Sequence, residues 1–335
     1  MNTMKAILMP GPGAAEVLAL GEAPLPELPG AHHLRVRLKA AGVNPVDTKL
    51  RKNGTYFPER LPAILGCDGA GVVESVGAAV TRFQPGDEVY FCRGGIGGDP
   101  GCYAEYAVLH EDFAAAKPKN LSFAQAAAVP LVLITAWESL FERARLQGGE
   151  RVLIHAAAGG VGHLAVQLAK QAGARVAATV SGAEKAALAR RFGAEIAIDY
   201  TSADFVQAAL DWSGGRGVDV VFDTVGGATF CRSFSAAAVY GRIVTLLQSE
   251  CAAADIKLAR LRNQSIHFEL MLTPMFLGLH EEGVRQRRIL ESGALMLEDG
   301  RLEILVTQTL PLEQAAQAHQ LIENGHMSGK MVLTL

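Results

Sequence analysis

The chain has 335 residues, half of them hydrophobic and 19% charged, with a formal net charge of -3. That length is more than one hydrophobic core comfortably holds and predicts two domains, while the apolar share excludes a disordered chain. A slight negative charge, with no Lys/Arg stripe interleaved with aromatics, argues against a nucleic-acid partner.

The opening MNTMKAILMPGPG is too short for a secretory signal. The most apolar run, Ala126 to Trp137, is interrupted by Pro130 and falls short of the ~20 residues a bilayer span needs, so a cytoplasmic protein without a membrane segment is expected. Five cysteines, Cys67, Cys92, Cys102, Cys231 and Cys251, are odd in number and form no C-x-x-C pair, which predicts reduced thiols.

Residues 1–120 read as short strands (MKAILM, HLRVRLKAAGV, AGVVESVG, GDEVYF, YAEYAVL) divided by Pro/Gly turns such as PGPG and QPGD. A β-rich domain is predicted there. Over 121–265 the pattern changes to helices alternating with strands, from AWESLFERARL and RVLIHA through ARVAATV, AEIAIDY and VDVVFDTV to GRIVTLL. Such alternation predicts βαβ units and a parallel sheet covered on both faces. Residues 266–335, with a helix over 282–299, the strand RLEILVTQTLP, the helix LEQAAQAHQLIENG and a last strand KMVLTL, are expected to return to the first domain. In SIHFELM, His267 and Glu269 share one side of an extended segment. Without a third ligand nearby, packing by Phe268, Leu270 and Met271 in a pocket or dimer contact is the better reading than a metal.

The stretch HAAAGGVGHLAVQ joins the apolar strand RVLIHA to a helix with Val161, Leu164, Ala165 and Leu168 on one face. Aligned to G-x-G-x-x-G it offers Ala157, Gly159 and Gly162, with Gly160 and Val161 between the glycines. The bare backbone at Gly159 lets a diphosphate approach the helix N-terminus, and Gly162 lets helix and strand pack closely. A plain small-residue packing turn would look alike in isolation, but the position within a βαβ unit favours a dinucleotide site. About 20 residues on, where an acid would hold the ribose 2'-hydroxyl of NAD, the chain has Ser181 and Lys185, suited to a 2'-phosphate. NADP(H) is therefore expected over NAD(H) or S-adenosylmethionine; the alternative is a solvated Lys185 with Glu184 serving as the acid.

Together, AAGVNPVDTKLRKNGTY (40–56), LPAILGCDGAGVVESVGAAVTRFQPGDEVY (61–90), AAAGGVGHLAVQLAK (156–170), FDTVGG (222–227) and the closing GKMVLTL resemble the medium-chain dehydrogenase/reductase superfamily, in its zinc-independent quinone oxidoreductase-like branch. The resemblance implies an α/β protein with a GroES-like β-barrel domain, a Rossmann doubly wound parallel-sheet domain and a cofactor cleft between them. It also implies a homodimer that continues the Rossmann sheet through GRIVTLL as the edge strand. Zinc-dependent relatives carry Cys in the AGV segment and His in a GHE turn. Here Asn44, Cys67 and Asp68 stand instead, too few ligands for a catalytic zinc. Likewise Cys92 and Cys102 cannot make a four-cysteine structural site.

The function so implied is reduction of a quinone or an α,β-unsaturated carbonyl by NADPH, with a zinc alcohol dehydrogenase or a non-catalytic NADPH-binding module as alternatives. Tyr56 resembles the tyrosine that donates to substrate in related enoyl thioester reductases. Asn44 would orient the nicotinamide or substrate carbonyl, or simply cap the turn before Pro45. The resemblance also places Thr135, opening the helix TAWESL, near the nicotinamide, Tyr200 beside the 2'-phosphate, and Val225 and Leu247 along the riboses. Lys330 lies in the matching GK element.

Overall fold

The computed structural model describes residues 2–335. The chain opens with β1 (Thr3–Leu8), β2 (Ala19–Pro24) and β3 (His33–Val43), then α1 (Pro45–Asn53), β4 (Asp68–Val76), β5 (Glu88–Cys92), β6 (Tyr106–His110), β7 (Ala115–Ala116) and α2 (Phe123–Ala127). Local chemistry sets several of these boundaries. Asn44 precedes Pro45 at the first helical position of α1, where a missing N–H costs nothing, and Ser122 and Gln125 cap α2 reciprocally.

Next come α3 (Pro130–Trp137), a π-helical turn over Glu138–Arg143, β8 (Arg151–Ile154), α4 (Gly160–Gln171), β9 (Arg175–Val180), α5 (Ala183–Arg191), β10 (Ile196–Asp199) and α6 (Phe205–Trp212). They are followed by β11 (Val218–Asp223), α7 (Gly227–Ala236), β12 (Ala237–Thr245), α8 (Ala253–Leu261) and β13 (Ser265–Phe268). The chain closes with α9 (Thr273–Leu277), α10 (His280–Glu298), β14 (Val306–Pro311), α11 (Ala315–Glu323) and β15 (Lys330–Thr334).

Two compact units result. The first comprises 1–131, 272–300 and 304–335, and the second 132–271 with 301–303. The first exchange therefore falls eleven residues past the 120/121 boundary read from the sequence, because α2 packs on β3 and β4. In the first unit β14, β15, β3, β4, β5 and β7 form one sheet in that order, with β6 also on β3. The last strand enters it antiparallel to β3, Met331 opposite Val43.

In the second unit six parallel strands run in the order β10-β9-β8-β11-β12-β13. The order reverses between β8 and β11, a topological switch point. Leu153, Ala177, Val221, Phe234 and Ile243 are fully buried in its core, each large side chain contributing roughly 1.5–3 kcal/mol through burial. Two expectations are corrected here. The edge strand is β13 rather than the segment GRIVTLL, because Ile266 pairs beside Ile243 and adds one more parallel strand. The cysteines are not all free: Cys231 of α7 and Cys251 before α8 form a disulfide, their α-carbons 5.4 Å apart. Only Cys67, Cys92 and Cys102 remain as thiols, all buried. Among the described residues, no helix is long and apolar enough to cross a membrane.

Candidate functional site

Because the strands of the second unit are parallel, their carboxyl ends share one sheet edge, and the segments leaving them carry most of the sequence-predicted positions. The turn after β8 leads through Gly159, which precedes the first helical residue, into Gly160, Val161 and Gly162 on the first turn of α4. First-turn amides have no carbonyl within the helix to bond and carry the positive end of its dipole. A Cβ on Gly162 would lie 2.3 Å from the Ala156 carbonyl oxygen and 2.8 Å from Ala157 Cα, whereas one on Gly159 would meet only the Ala156 oxygen, at 3.1 Å. Gly162 is thus required by helix–strand packing, while Gly159 keeps an open approach. The left-handed residue of the turn is Ala156, with φ 49°, one position before the Ala157 aligned with the first glycine.

Ser181 follows β9, and Lys185, one turn into α5, donates from Nζ to Ser181 Oγ at 3.1 Å. Asp199, ending β10, accepts from the Gly182 N–H at 3.1 Å and from the Thr201 hydroxyl at 2.7 Å. The Thr201 bonds hold its pKa below the ordinary aspartate value. Tyr200 comes next and is 54% exposed. After β11, Asp223 is fully buried, accepts from the amides of Val225 and Gly226 at 3.0 Å and receives the Thr245 hydroxyl at 2.7 Å. Thr224 donates to the His155 carbonyl at 3.0 Å, tying the two strands of the switch point together. Gly226 has φ 75° and faces Leu247, whose Cδ1 would lie 2.9 Å from an added Cβ. Thr135 is buried within α3. It does not open a helix, since Pro130 starts that helix five residues earlier.

His155 is a residue the sequence reading quoted but gave no role. Its Nδ1 lies 3.0 Å from Thr179 Oγ1 and its Nε2 3.0 Å from Ser233 Oγ, beneath the glycine turn. Burial depresses its pKa to about 4, so the ring is neutral at pH 7 and shared between two hydroxyls. A lone histidine ending a strand carries no signal for this.

In the first unit, Asn44 and Lys330 meet. The Lys330 ammonium donates to Asn44 Oδ1 and to the Val43 carbonyl at 3.0 Å, with Asp68 Oδ2 at 3.8 Å. The Asn44 amide donates to Asp68 Oδ2 at 2.8 Å, and the Asn44 backbone N–H to Asp47 Oδ2 at 2.8 Å. Asp68 Oδ1 accepts from the Leu131 N–H at 2.8 Å. The Tyr103 hydroxyl bridges Asp47, at 3.1 Å, and His319 Nε2, at 3.2 Å. Asp47, Tyr103 and His319 were missed; only the N-x-x-D capping pattern at Asn44 to Asp47 hinted at them.

Burial, reinforced by Asp68 and opposed by the Asn44 amide and Lys330, raises Asp47 to about 7. It likewise lifts Asp68 and lowers Lys330, each opposed by the other's charge. A hydrogen bond with Cys92 favours the Cys67 thiolate, yet burial and the two aspartates carry its pKa upward. Tyr56 has other neighbours: its ring centroid is 4.8 Å from that of Phe276, and its amide donates to the Ile96 carbonyl at 3.1 Å. In SIHFELM, Glu269 pairs with Arg143 at 2.8 Å and Met271 is buried, while Phe268 and Leu270 are 65% and 47% exposed.

A barrel-type unit joined in sequence to a doubly wound unit with a glycine turn at its switch point defines a two-domain oxidoreductase architecture. Residues 30–119 match the model of the alcohol dehydrogenase GroES-like domain, and 192–333 match that of zinc-binding dehydrogenases. A quinone oxidoreductase of Pseudomonas aeruginosa is 36% identical over 92% of this chain and 93% of its own. A solved NAD-dependent alcohol dehydrogenase superposes with TM-score 0.89 at 35% identity, covering 99% of this chain and 100% of the other. The Escherichia coli quinone oxidoreductase, solved in complex with NADPH, superposes with TM-score 0.86 at 30% identity over 99% and 100% of the two chains. The chain belongs to the medium-chain dehydrogenase/reductase superfamily, in its quinone oxidoreductase-like branch.

Proposed function

We propose that the protein is an NADP(H)-dependent reductase that passes a hydride to a quinone or an α,β-unsaturated carbonyl without a catalytic metal. The observation that carries this reading is the Lys185–Ser181 pair at the carboxyl end of β9, on the same sheet edge as the glycine turn. A cation and a hydroxyl there suit a 2'-phosphate, and the open backbone at Gly159 suits a diphosphate at the start of α4. The relation to quinone oxidoreductases, one of them solved with NADPH, supports the same choice.

NADPH, when bound, supplies the hydride. The α4 amides of Gly160, Val161 and Gly162 would hold the diphosphate, and Ser181, Lys185 and Tyr200 would hold the adenosine end. Val225 and Leu247 would line the riboses, with Thr135 toward the nicotinamide. A developing oxyanion needs a donor. Tyr56 is the candidate, because the Asn44 amide is already engaged by Asp68 and Lys330. Asn44 and Lys330 then serve to position the surrounding backbone.

The residues at the position of the relatives' zinc do not fit that ion. Asn44 is no thiolate, an ammonium already bonds to it, and Cys67 is held in its thiol form. Stopped-flow consumption of NADPH and NADH against a panel of quinones and enones, with metal analysis of the same sample, tests the reading. Turnover of alcohols with NAD and stoichiometric zinc would favour the alcohol dehydrogenase alternative. Binding of NADPH with no acceptor reduced would favour the non-catalytic one.

We propose a homodimer that forms through β13, an edge strand whose Ile266 and Phe268 are 37% and 65% exposed. Unpaired strand edges with apolar side chains are templates for association. Sedimentation of the chain beside a Phe268→Lys variant checks this.

A further inference from the structure

Four of the nine histidines gather at one corner of the first unit. His33, at the start of β3, stands opposite His110, at the end of β6. The His110 ring lies 5.5 Å from His32, 5.4 Å from His33 and 5.1 Å from His280, the first residue of α10. Between His110 and His280 sits the Asp112 carboxylate, its Oδ2 2.9 Å from His280 Nε2 and 3.4 Å from His110 Nδ1.

We propose that His110, Asp112 and His280 form a binding site for a divalent transition ion of the zinc class, separate from the reductase machinery. Among the described residues, this is the group of three His, Cys, Asp or Glu side chains whose ligand atoms all lie within 4.8 Å of one another. A tetrahedral zinc with bonds of about 2.0–2.2 Å to nitrogen and oxygen needs ligand atoms roughly 3.3–3.6 Å apart. Of the two distances to Asp112, that from His110 at 3.4 Å falls within this spacing and that from His280 at 2.9 Å is a few tenths of an ångström short of it. The half-exposed His280 side chain is free to take up that difference. Two imidazoles and a carboxylate are a borderline donor set that zinc, cobalt(II), nickel and copper(II) accept, and magnesium and calcium do not prefer.

The carboxylate is presented by a turn that is already fixed. Glu111 is buried and accepts from the amides of Thr81 and Arg82 at 2.9 Å and pairs with His32 at 2.9 Å. To bind, His280 presents its Nε2 lone pair with the ring proton on Nδ1, and the Asp112 backbone N–H now donated to His110 Nδ1 at 3.2 Å turns to water. No oxidation change is involved. Three protein ligands leave a fourth position for water. The ion would staple α10 to the end of β6 across 168 residues of sequence.

Titration of the tag-free full chain with Co2+ and Zn2+ decides the matter. One equivalent of Co2+ should bind with visible bands of nitrogen and oxygen ligation and no thiolate charge-transfer band. Zn2+ should displace it and raise the melting temperature. His280→Ala and Asp112→Asn, both at exposed or half-exposed side chains, should fold normally and weaken binding at least tenfold, erasing the zinc-dependent rise. His280→Cys should create the charge-transfer band that the parent lacks. Binding unchanged in the Ala and Asn variants, a thiolate band in the parent, or no binding at free Zn2+ of ~100 μM, which is far above the range in which built sites saturate, would each overturn the assignment. None of these readouts depends on reductase activity.

Discussion

The Nζ of Lys185 lies 3.1 Å from the Oγ of Ser181, so one turn of α5 returns a cation to the end of β9. Lys185→Ala should weaken NADPH binding about tenfold, the scale of one partly exposed charge-assisted contact, and leave NADH binding within twofold. Calorimetry with both nucleotides measures the ratio. Equal losses for the two would remove the 2'-phosphate assignment.

Gly159 and Gly162 are three residues apart but should fail differently when replaced. At Gly162 an added methyl meets backbone at 2.3 Å. Gly162→Ala should therefore cost on the order of 2–3 kcal/mol of stability, as overpacking does. At Gly159 φ is -75° and the nearest atom is 3.1 Å away, so Gly159→Ala should unfold close to the parent in urea yet bind dinucleotide poorly.

Lys330 is buried with its charge on Asn44 and near Asp68. Lys330→Met leaves the buried Asp68 carboxylate uncompensated and should destabilise by about 3–5 kcal/mol. Adding Asp68→Asn should recover a large part of that loss. A double-mutant cycle in urea reads the coupling.

Stability should depend on pH in one sense at His155 and His319 and in the opposite sense at Asp47. His155 is depressed from 6.5 to about 4, so its contribution is complete above pH 6.5 and is lost as pH falls toward 4, roughly 3 kcal/mol in total. His319, held at about 3 by burial, acts in the same direction. Asp47, raised from 3.8 to about 7, contributes fully below pH 3.8 and ceases to do so as pH rises through 7. Urea midpoints across pH 4–8 should show a shallower acid limb for His155→Asn than for the parent, and parallel limbs would refute the His155 assignment.

The Cys231–Cys251 bridge closes a loop of 20 residues. Reduction should release unfolded-state entropy worth about 3 kcal/mol, lowering the melting temperature. Cys251→Ser should melt at the same temperature with or without reductant.

What could be read from the sequence was what neighbouring residues decide. The glycine turn and the Ser181–Lys185 pair are local, set by strand, turn and one helical turn. By contrast, Lys330 is 286 residues from Asn44, and nothing in GKMVLTL says that its lysine is buried. The pairing of Cys231 with Cys251 has no spacing signature. The β13 edge escaped because SIHF is four residues long and its parallel partner is set by sheet order, to which periodicity is blind. Thr135 was misplaced because Pro130 looked like an interruption when it is a start.

The position of β15 also constrains biosynthesis. Because Met331 to Thr334 lie between β14 and β3, a nascent chain emerging from the ribosome cannot complete its amino-terminal barrel until the whole dinucleotide unit has been translated. Until then the inner edge of β3, including buried Ala40 to Val43, stays open to misplaced strands. Long-range closure of this kind is slow, so the barrel sheet is the last part of the fold to become complete.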